Sequence, residues 1–287
     1  ASDVYKRQAV REVMPEFCRA DEALLGGLFP RRPRTAHKGD FGHVLVVGGG
    51  AGMPGAARLC GEAALRVGAG RVSLATDPSH AALLAANRPE LMSHPVNNID
   101  DLEPLLAKAD VIAFGPGLGQ SEWARELFAR LSVDDRPAVW DADALNLLAL
   151  APIQAGKRII TPHPGEAATL LNDTTVAVQQ DRPAAVAALA EKYGGVAVLK
   201  GARTLIRAGG GENWLCTAGN PGMAAPGMGD VLTGVIAGLL AQRLSLVDAA
   251  VAGVEVHARA GDRAALRGER GVLASELMAE LRGVINP

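Results

Sequence analysis

Several side chains in this sequence could move protons or hold phosphate, and most of them sit beside glycine. The stretch PGMGDVLTGVIAGLL, residues 226–240, places Asp230 directly behind Gly227, Met228 and Gly229, and an apolar run begins at once. Val231, Leu232, Val235, Ile236, Leu239 and Leu240 recur at helical spacing, which predicts a helix buried along one face. The N-terminus of such a helix offers free N–H groups and the positive end of its dipole, both suited to an anion. Asp230 is then either the cap of that helix or a carboxylate that takes the proton of an attacking hydroxyl beside a phosphate. Asn or Ser would cap equally well.

Four other stretches carry polar groups where a strand gives way to a loop. WDADALN holds Asp141 and Asp143, one of which would cap the following helix on the plainest reading. TPHPGE sets His163 between two prolines with Glu166 three residues on, so both have restricted placement on a loop of the kind that carries chemistry. LKGART ends a strand at Lys200, which meets either phosphate or solvent. GPGLGQ (115–120) is either a turn or a place where backbone approaches a ligand closely.

A fifth stretch, GAGMPG, matches G-x-G-x-x-G at Gly50, Gly52 and Gly55, with Asp77 about twenty residues further on. This is the pattern of a dinucleotide fold, in which backbone N–H groups hold a pyrophosphate. The same glycines could serve only to allow tight turns. The phosphate loop G-x-x-x-x-G-K-[ST] does not occur in the chain.

These residues need elements to hold them. HVLVV (43–47), RVSLAT (71–76), DVIAFGPGLG (110–119), PAVWDAD (137–143), RIITPHPGE and VAVLKG (196–201) read as strands running into loops. GAARLCGEAALRVGAG, PSHAALLAANRPEL, residues 121–132, DALNLLAL, GEAATLL and PAAVAALAEKYG read as helices between them. RTLIRAGGGENWLCTAG alternates around a glycine turn and reads as a hairpin, with two or three helices after residue 226. Strands alternating with helices predict one α/β domain with a largely parallel sheet covered on both faces. Residues 1–42 read as an irregular lead-in.

Composition narrows the function classes. A formal charge of −2 over 287 residues leaves no broad basic surface, so no nucleic-acid or membrane partner is expected. Three scattered cysteines make neither a disulfide framework nor a zinc site and suit a reducing cytoplasm. No apolar run reaches membrane-spanning length and no signal-peptide layout is present.

The segments HKGDFGHVLVVGGGAGMPGAARLCGEAALRVGAG, GPGLGQ, DADALNLLA, ITPHPGEAATLL, VLKGART and GNPGMAAPGMGDVLTGVIAGLLAQ, in this order, closely resemble the ADP-dependent NAD(P)H-hydrate dehydratase family. The likeness runs from about residue 30 to the end. It implies a ribokinase-like three-layer α/β/α domain over 31–287, preceded by a linker remnant over 1–30. It implies a hydro-lyase that returns hydrated NADH or NADPH to the normal cofactor at the expense of ADP (ATP in eukaryotic members), with Mg²⁺, giving AMP and phosphate. Carried onto matching positions, Asp230 is the base. Gly227, Met228 and Gly229 form the anion hole with Asp230, and Lys200, Gly201, Ala202, Arg203 and Thr204 line the nucleotide site. Ala56, Gly117, Gly119, His163 and Asp230 meet the hydrated cofactor, and Glu166 is a candidate for magnesium through water, although His163 stands where related kinases carry Asn.

The resemblance further implies a homotetramer paired with a separate or fused NAD(P)H-hydrate epimerase. With about 40 residues ahead of the first strand, no fused epimerase is expected in this chain. Two other readings compete: a ribokinase-like kinase of a small vitamin-precursor alcohol using the same Asp230, and a nucleotide-binding regulator without turnover.

Overall fold

Alternation of apolar residues within short strands decides which side of the sheet each element covers. The computed structural model describes residues 17–20, 22–84, 86 and 88–286. In chain order the elements are β1 (Phe17–Cys18), α1 (Glu22–Leu28), β2 (His43–Val47), α2 (Pro54–Arg66), β3 (Arg71–Thr76), α3 (Ala81–Leu84) and β4 (Met92–Pro95). There follow α4 (Ile99–Leu106), β5 (Val111–Phe114), α5 (Glu122–Leu131), β6 (Ala138–Trp140), α6 (Asp143–Leu150), β7 (Arg158–Ile160) and α7 (Pro164–Leu171). The chain continues through α8 (Thr175–Gln180), α9 (Arg182–Tyr193), β8 (Val196–Leu199), β9 (Leu205–Ala208) and β10 (Asn213–Leu215). It ends in α10 (Met228–Ala241), α11 (Leu246–Ala264) and α12 (Ala274–Ile285).

The strands form one sheet in the order β1-β10-β9-β8-β7-β6-β5-β2-β3-β4. From β4 to β8 every pairing is parallel, while β9 runs antiparallel to both β8 and β10. Val44, Val46, Val111, Ala113, Val139 and Ile159 join a core with α2, α10, α11 and α12. Their neighbours Leu45, Val47, Ile112, Phe114, Trp140 and Ile160 point the other way, into a core with α4 to α9. The result is three layers, α/β/α, with strands buried on both faces as a parallel sheet requires. Strand β2 lies between β3 and β5, so the order reverses beside it and the crevice of an open α/β sheet opens at its C-terminal end.

Three differences from the sequence reading have physical causes. The lead-in contains β1, which pairs in parallel with β10, and α1, whose Leu25 enters the core; its residues 1–16 lie outside the described residues. The helix expected through residue 91 stops at Leu84, and Met92–Pro95 forms an edge strand whose proline and polar residues hide it from pattern reading. Helix α10 is buried on all sides from Val231 to Ala241, not along one stripe. Its second side is made of Gly234 and Gly238, against which α2 packs so closely that a Cβ on Gly234 would lie 2.0 Å from the Cys60 carbonyl oxygen. Small residues carry close helix contact without contributing to an apolar stripe. No helix among the described residues is long and apolar enough to cross a membrane.

Candidate active site

Five strand ends deliver polar or glycine-rich loops to one edge of the sheet: 48–50 after β2, 115–119 after β5, 141–143 after β6, 161–166 after β7 and 200–204 after β8. The N-terminus of α10 faces them. Its N-cap is Gly227, held at φ 87, a left-handed value that favours glycine, and a Cβ there would strike Leu59 of α2 at 2.6 Å. The amides of Met228, Gly229 and Asp230 precede the first intrahelical bond, from Val231 N–H to the Gly227 carbonyl, and donate to no described residue. Asp230 is the third residue of the helix and makes no capping bond. Its role as a cap is therefore excluded.

Asp230 is instead an uncompensated carboxylate. Burial pushes its pKa up to about 7, the neighbouring Asp141 adds to the rise, Lys200 opposes it, and Asp143 and Glu166 add smaller amounts. Asp141 behaves in the opposite sense. Burial raises it, but the Lys200 ammonium and hydrogen bonds from Lys200, Thr233 and Thr161 hold it below the ordinary aspartate value. Lys200 Nζ donates to Asp141 Oδ1 at 2.6 Å and Thr233 Oγ1 donates to Oδ2 at 2.8 Å. Thr233 lies one turn along α10 from Asp230, so the helix that presents the free carboxylate also secures the fixed one.

The sequence left Lys200 between phosphate and solvent, and the structure turns it inward. Its side chain is 17% exposed, bonds Asp141 and lies 3.7 Å from Glu166 Oε2. Burial works against its charge, but Asp141 and Glu166 outweigh that and raise its pKa. A Cβ on Gly229 would stand 3.4 Å from both Lys200 Nζ and Asp141 Oδ2, which sets the first turn of α10 directly over this ion pair. Buried His257 of α11 meets the Met228 backbone, and burial lowers it to about 4, so it stays neutral there at physiological pH.

His163 and Glu166 cap α7 reciprocally. His163 Nδ1 accepts from the amides of Gly165 and Glu166, at 3.0 and 3.2 Å, while Glu166 Oε2 accepts from the His163 amide at 2.7 Å. With Nδ1 accepting, the neutral ring carries its proton on Nε2, which lies 3.5 Å from Glu166 Oε1. The imidazole is 57% exposed and available to a ligand. Burial raises the Glu166 pKa, with Lys200 opposing.

The two glycine loops meet each other. Gly49 and Gly50 donate to the carbonyls of Pro116 and Gly117, at 2.8 and 2.6 Å, continuing the β2–β5 pairing past the strands. A Cβ on Gly48 would lie 2.2 Å from the Pro116 oxygen, so this approach demands glycine. The Gly50 amide of GAGMPG is consumed in this pairing, the Met53 amide is taken by the Gly50 carbonyl, and Asp77 Oδ1 is taken by the Ser79 amide and hydroxyl. Ala56, in the first turn of α2, lies against Gly117: a Cβ there would sit 2.9 Å from the Ala56 methyl. Gly119 is held by Asp143, whose Oδ2 accepts its amide at 2.8 Å. Neither aspartate of WDADALN caps α6 with its side chain; the N-cap is Ala142.

Residues 201–204 form the exposed rim. Gly201 and Arg203 take positive φ values of 130 and 58, and Arg182 of α9 donates to the carbonyls of Leu199, Lys200 and Arg203 beneath them. The structure thus gathers Gly229, Asp230, Lys200, His163 and Glu166 around Asp141, sets Ala56, Gly117 and Gly119 beside them, and places Ala202, Arg203 and Thr204 on the loop that follows Lys200. Met228 offers only its backbone, because its side chain is buried. Asp141, Asp143, Thr161, Thr233, Arg182 and His257 were not singled out as site residues; only the two aspartates carried a sequence signal, their place at a strand end.

Among the described residues no three His, Cys, Asp or Glu side chains gather as a metal cage. Comparison with known proteins bears on the family and the fold. A profile of the NAD(P)H-hydrate dehydratase family matches residues 44–282. The bifunctional NAD(P)H-hydrate repair enzyme of Coxiella burnetii is 55% identical over 261 residues, covering 91% of this chain and 54% of the relative, so the chain spans about half of that protein's length. An Enterococcus faecalis ribokinase-like superfamily protein superposes with a TM-score of 0.86 at 29% identity, over 94% of this chain and 95% of its own. The ADP/ATP-dependent NAD(P)H-hydrate dehydratase of Bacillus subtilis, co-crystallised with ATP and Mg²⁺, does so at 0.82 and 30%, over 92% and 96%. The fold is ribokinase-like, as the sequence led one to expect.

Proposed function

The chain belongs to the NAD(P)H-hydrate dehydratase family, and we propose that it returns (S)-NADH hydrate and (S)-NADPH hydrate to NADH and NADPH, consuming ADP and releasing AMP and phosphate. The observation that carries this reading is Asp230: a carboxylate with no hydrogen-bond partner among the described residues and a pKa near 7, beside the unclaimed amides of 228–230. A general base works best when its pKa lies near the working pH. Hydroxide is a poor leaving group, and phosphorylation of the hydrate hydroxyl corrects that. Asp230 takes the hydroxyl proton as the oxygen attacks the terminal phosphoryl of ADP, and AMP departs. The new C–O–phosphate bond then breaks to release phosphate while the adjacent ring carbon gives up a proton to solvent and the ring double bond forms. The amides of the 227–230 turn hold the transferring group, with Lys200 beneath it as fixed positive charge.

Ala56, Gly117, Gly119 and His163 receive the hydrated nicotinamide, and the 200–204 loop receives the nucleotide. Mg²⁺ would neutralise phosphate charge. Glu166 fits it only through water, since Oε2 accepts the His163 amide and Lys200 lies 3.7 Å away. In this reading the enzyme is a hydro-lyase built on one domain over 31–287, works in the cytoplasm as a tetramer, and follows an epimerase that supplies the (S) hydrate.

The test is recovery of the near-ultraviolet absorbance of NADH from its hydrate, with Mg²⁺ and either ADP or ATP. Recovery with ADP and stoichiometric AMP is the expected result. No recovery with either nucleotide, while the protein phosphorylates a vitamin-precursor alcohol, would replace this reading by the kinase one. Nucleotide binding without phosphate release would mark a regulator.

A further inference from the structure

Asp143 has no task in the reaction described above, yet its placement depends on an unusual backbone. Ala142, between the two aspartates, sits at φ 50 and ψ −122, a conformation natural to glycine and costly for alanine. Strain of this kind persists only where the surroundings enforce it. Its effect is to send consecutive carboxylates to different tasks. Asp141 goes inward to Lys200 and Thr233, and Asp143 Oδ2 reaches the Gly119 amide.

The loop that Asp143 holds is anchored from two sides. On one side Gly50 N–H bonds the Gly117 carbonyl at 2.6 Å, and the Gly117 backbone lies so close to Met53 and Ala56 that a Cβ would approach the Met53 oxygen to 2.8 Å. On the other side, the bond from Gly119 to Asp143 is made by a side chain. Remove it, and Gly119 loses its tie to the β6 end of the site, while buried Leu118 keeps its bond to the Gly115 carbonyl and the Gly117 anchor stays. We propose that Asp143 is a positioning residue for the reaction, fixing through the Gly119 amide where the 115–119 loop, and the hydrated nicotinamide it receives, sit relative to Asp230. This rests on the function proposed above. The plainer role, an acidic residue in the first turn of α6 favouring the helix dipole, predicts a loss of stability and no selective loss of substrate affinity.

The two roles separate in Asp143→Ala and Asp143→Asn, compared with the unaltered chain for KM of NADH hydrate, KM of ADP, and the Kd of NADH followed by its fluorescence. Losing one hydrogen bond to a charged acceptor should raise the hydrate KM and the NADH Kd about tenfold in Asp143→Ala. The ADP KM should stay within about twofold, because the nucleotide loop follows a different strand. Asn keeps an oxygen for the Gly119 amide without the charge, and should restore the hydrate KM. An unchanged hydrate KM in Asp143→Ala, a parallel rise for ADP, or Asn as impaired as Ala would each overturn the assignment. Should Asp143→Ala not fold, Asp143→Ser, too short to reach the same amide, gives the same comparison. If the unaltered chain neither turns over the hydrate nor binds NADH, the proposed function fails and this assignment fails with it.

Discussion

Asp230→Asn should abolish turnover and at the same time stabilise the protein, and the structure sets the size of the second effect. Burial first, and the Asp141 charge second, move the Asp230 pKa from 3.8 to about 7. At about 1.4 kcal/mol for each tenfold change in proton affinity, this corresponds to roughly 4 kcal/mol against the ionised form. Between those two pH values the folded chain keeps a proton that the unfolded chain has released. Stability therefore falls as pH rises through that window, and the full penalty is present above pH 7. Asn carries no such penalty. Partial solvent access lowers the ceiling, so Asp230→Asn should be more stable by about 2 kcal/mol at pH 8, with the advantage gone by pH 4. Urea unfolding at the two pH values measures this, and the hydrate assay at pH 8 should show a loss of about 10² to 10⁴ in kcat. The unaltered enzyme should lose kcat/KM in acid with an apparent pKa near 7. Equal stability at pH 8 would refute the picture of an uncompensated carboxylate, and normal turnover would refute Asp230 as the base.

Other perturbations act on the parts that support Asp230. Lys200→Met leaves Asp141 buried without its cation and should cost about 3–5 kcal/mol in urea unfolding at neutral pH, the deficit narrowing in acid as Asp141 takes up a proton. A loss under about 1 kcal/mol would show that the ion pair is not structural. Gly234→Ala places a methyl 2.0 Å from the Cys60 oxygen and should destabilise by about 1–3 kcal/mol despite alanine's better helix propensity; a gain in stability would mean α2 and α10 are further apart. Ala142→Gly relieves about 1–3 kcal/mol of strain against about 0.5–1 kcal/mol of added chain entropy, so thermal unfolding should show a net gain of about 1 kcal/mol, and a net loss would deny the strain.

What the sequence made legible was local. Strand and helix periods placed β2, β3, β5 to β10 and most helices, because apolar residues at fixed spacing report directly on burial. The family resemblance carried by the ordered motifs implies one site for His163, Glu166, Lys200 and Asp230. The partners of those residues were not legible. Thr233 and Thr161 look like ordinary helix and strand residues; the packing of α10 over the end of β6 brings Thr233 to Asp141, and the parallel pairing of β6 with β7 brings Thr161. Arg182 sits at the start of a helix that carries no site motif, yet it supports the loop after β8. Gly234 shows the same limit for packing: it falls outside the apolar stripe, and its missing side chain is what lets α2 close on α10.

The contrast between Asp141 and Asp230 says more about mechanism than either residue alone. Two carboxylates near one ammonium would ordinarily share it, and each would ionise at low pH. Here Lys200 is committed to Asp141 by a 2.6 Å hydrogen bond, and Thr233 occupies the second oxygen of the same carboxylate. The committed pair is close to neutral as seen from Asp230, while burial and the residual Asp141 charge keep the Asp230 proton affinity high. Environments that push paired carboxylates apart in this way divide them into a permanent charge and a proton acceptor. In the proposed reaction this division also lets the free amides of 228–230 receive an anion beside a carboxylate. An Asp230 ionised throughout would repel the phosphoryl group that the α10 N-terminus attracts. One that is half protonated near pH 7 repels the phosphate less, and its ionised form accepts the hydroxyl proton and becomes neutral as it does so. Disrupting the Lys200–Asp141 bond should therefore weaken nucleotide binding as well as stability, a coupling that Asp230→Asn, which removes the charge and leaves the pair intact, should not show.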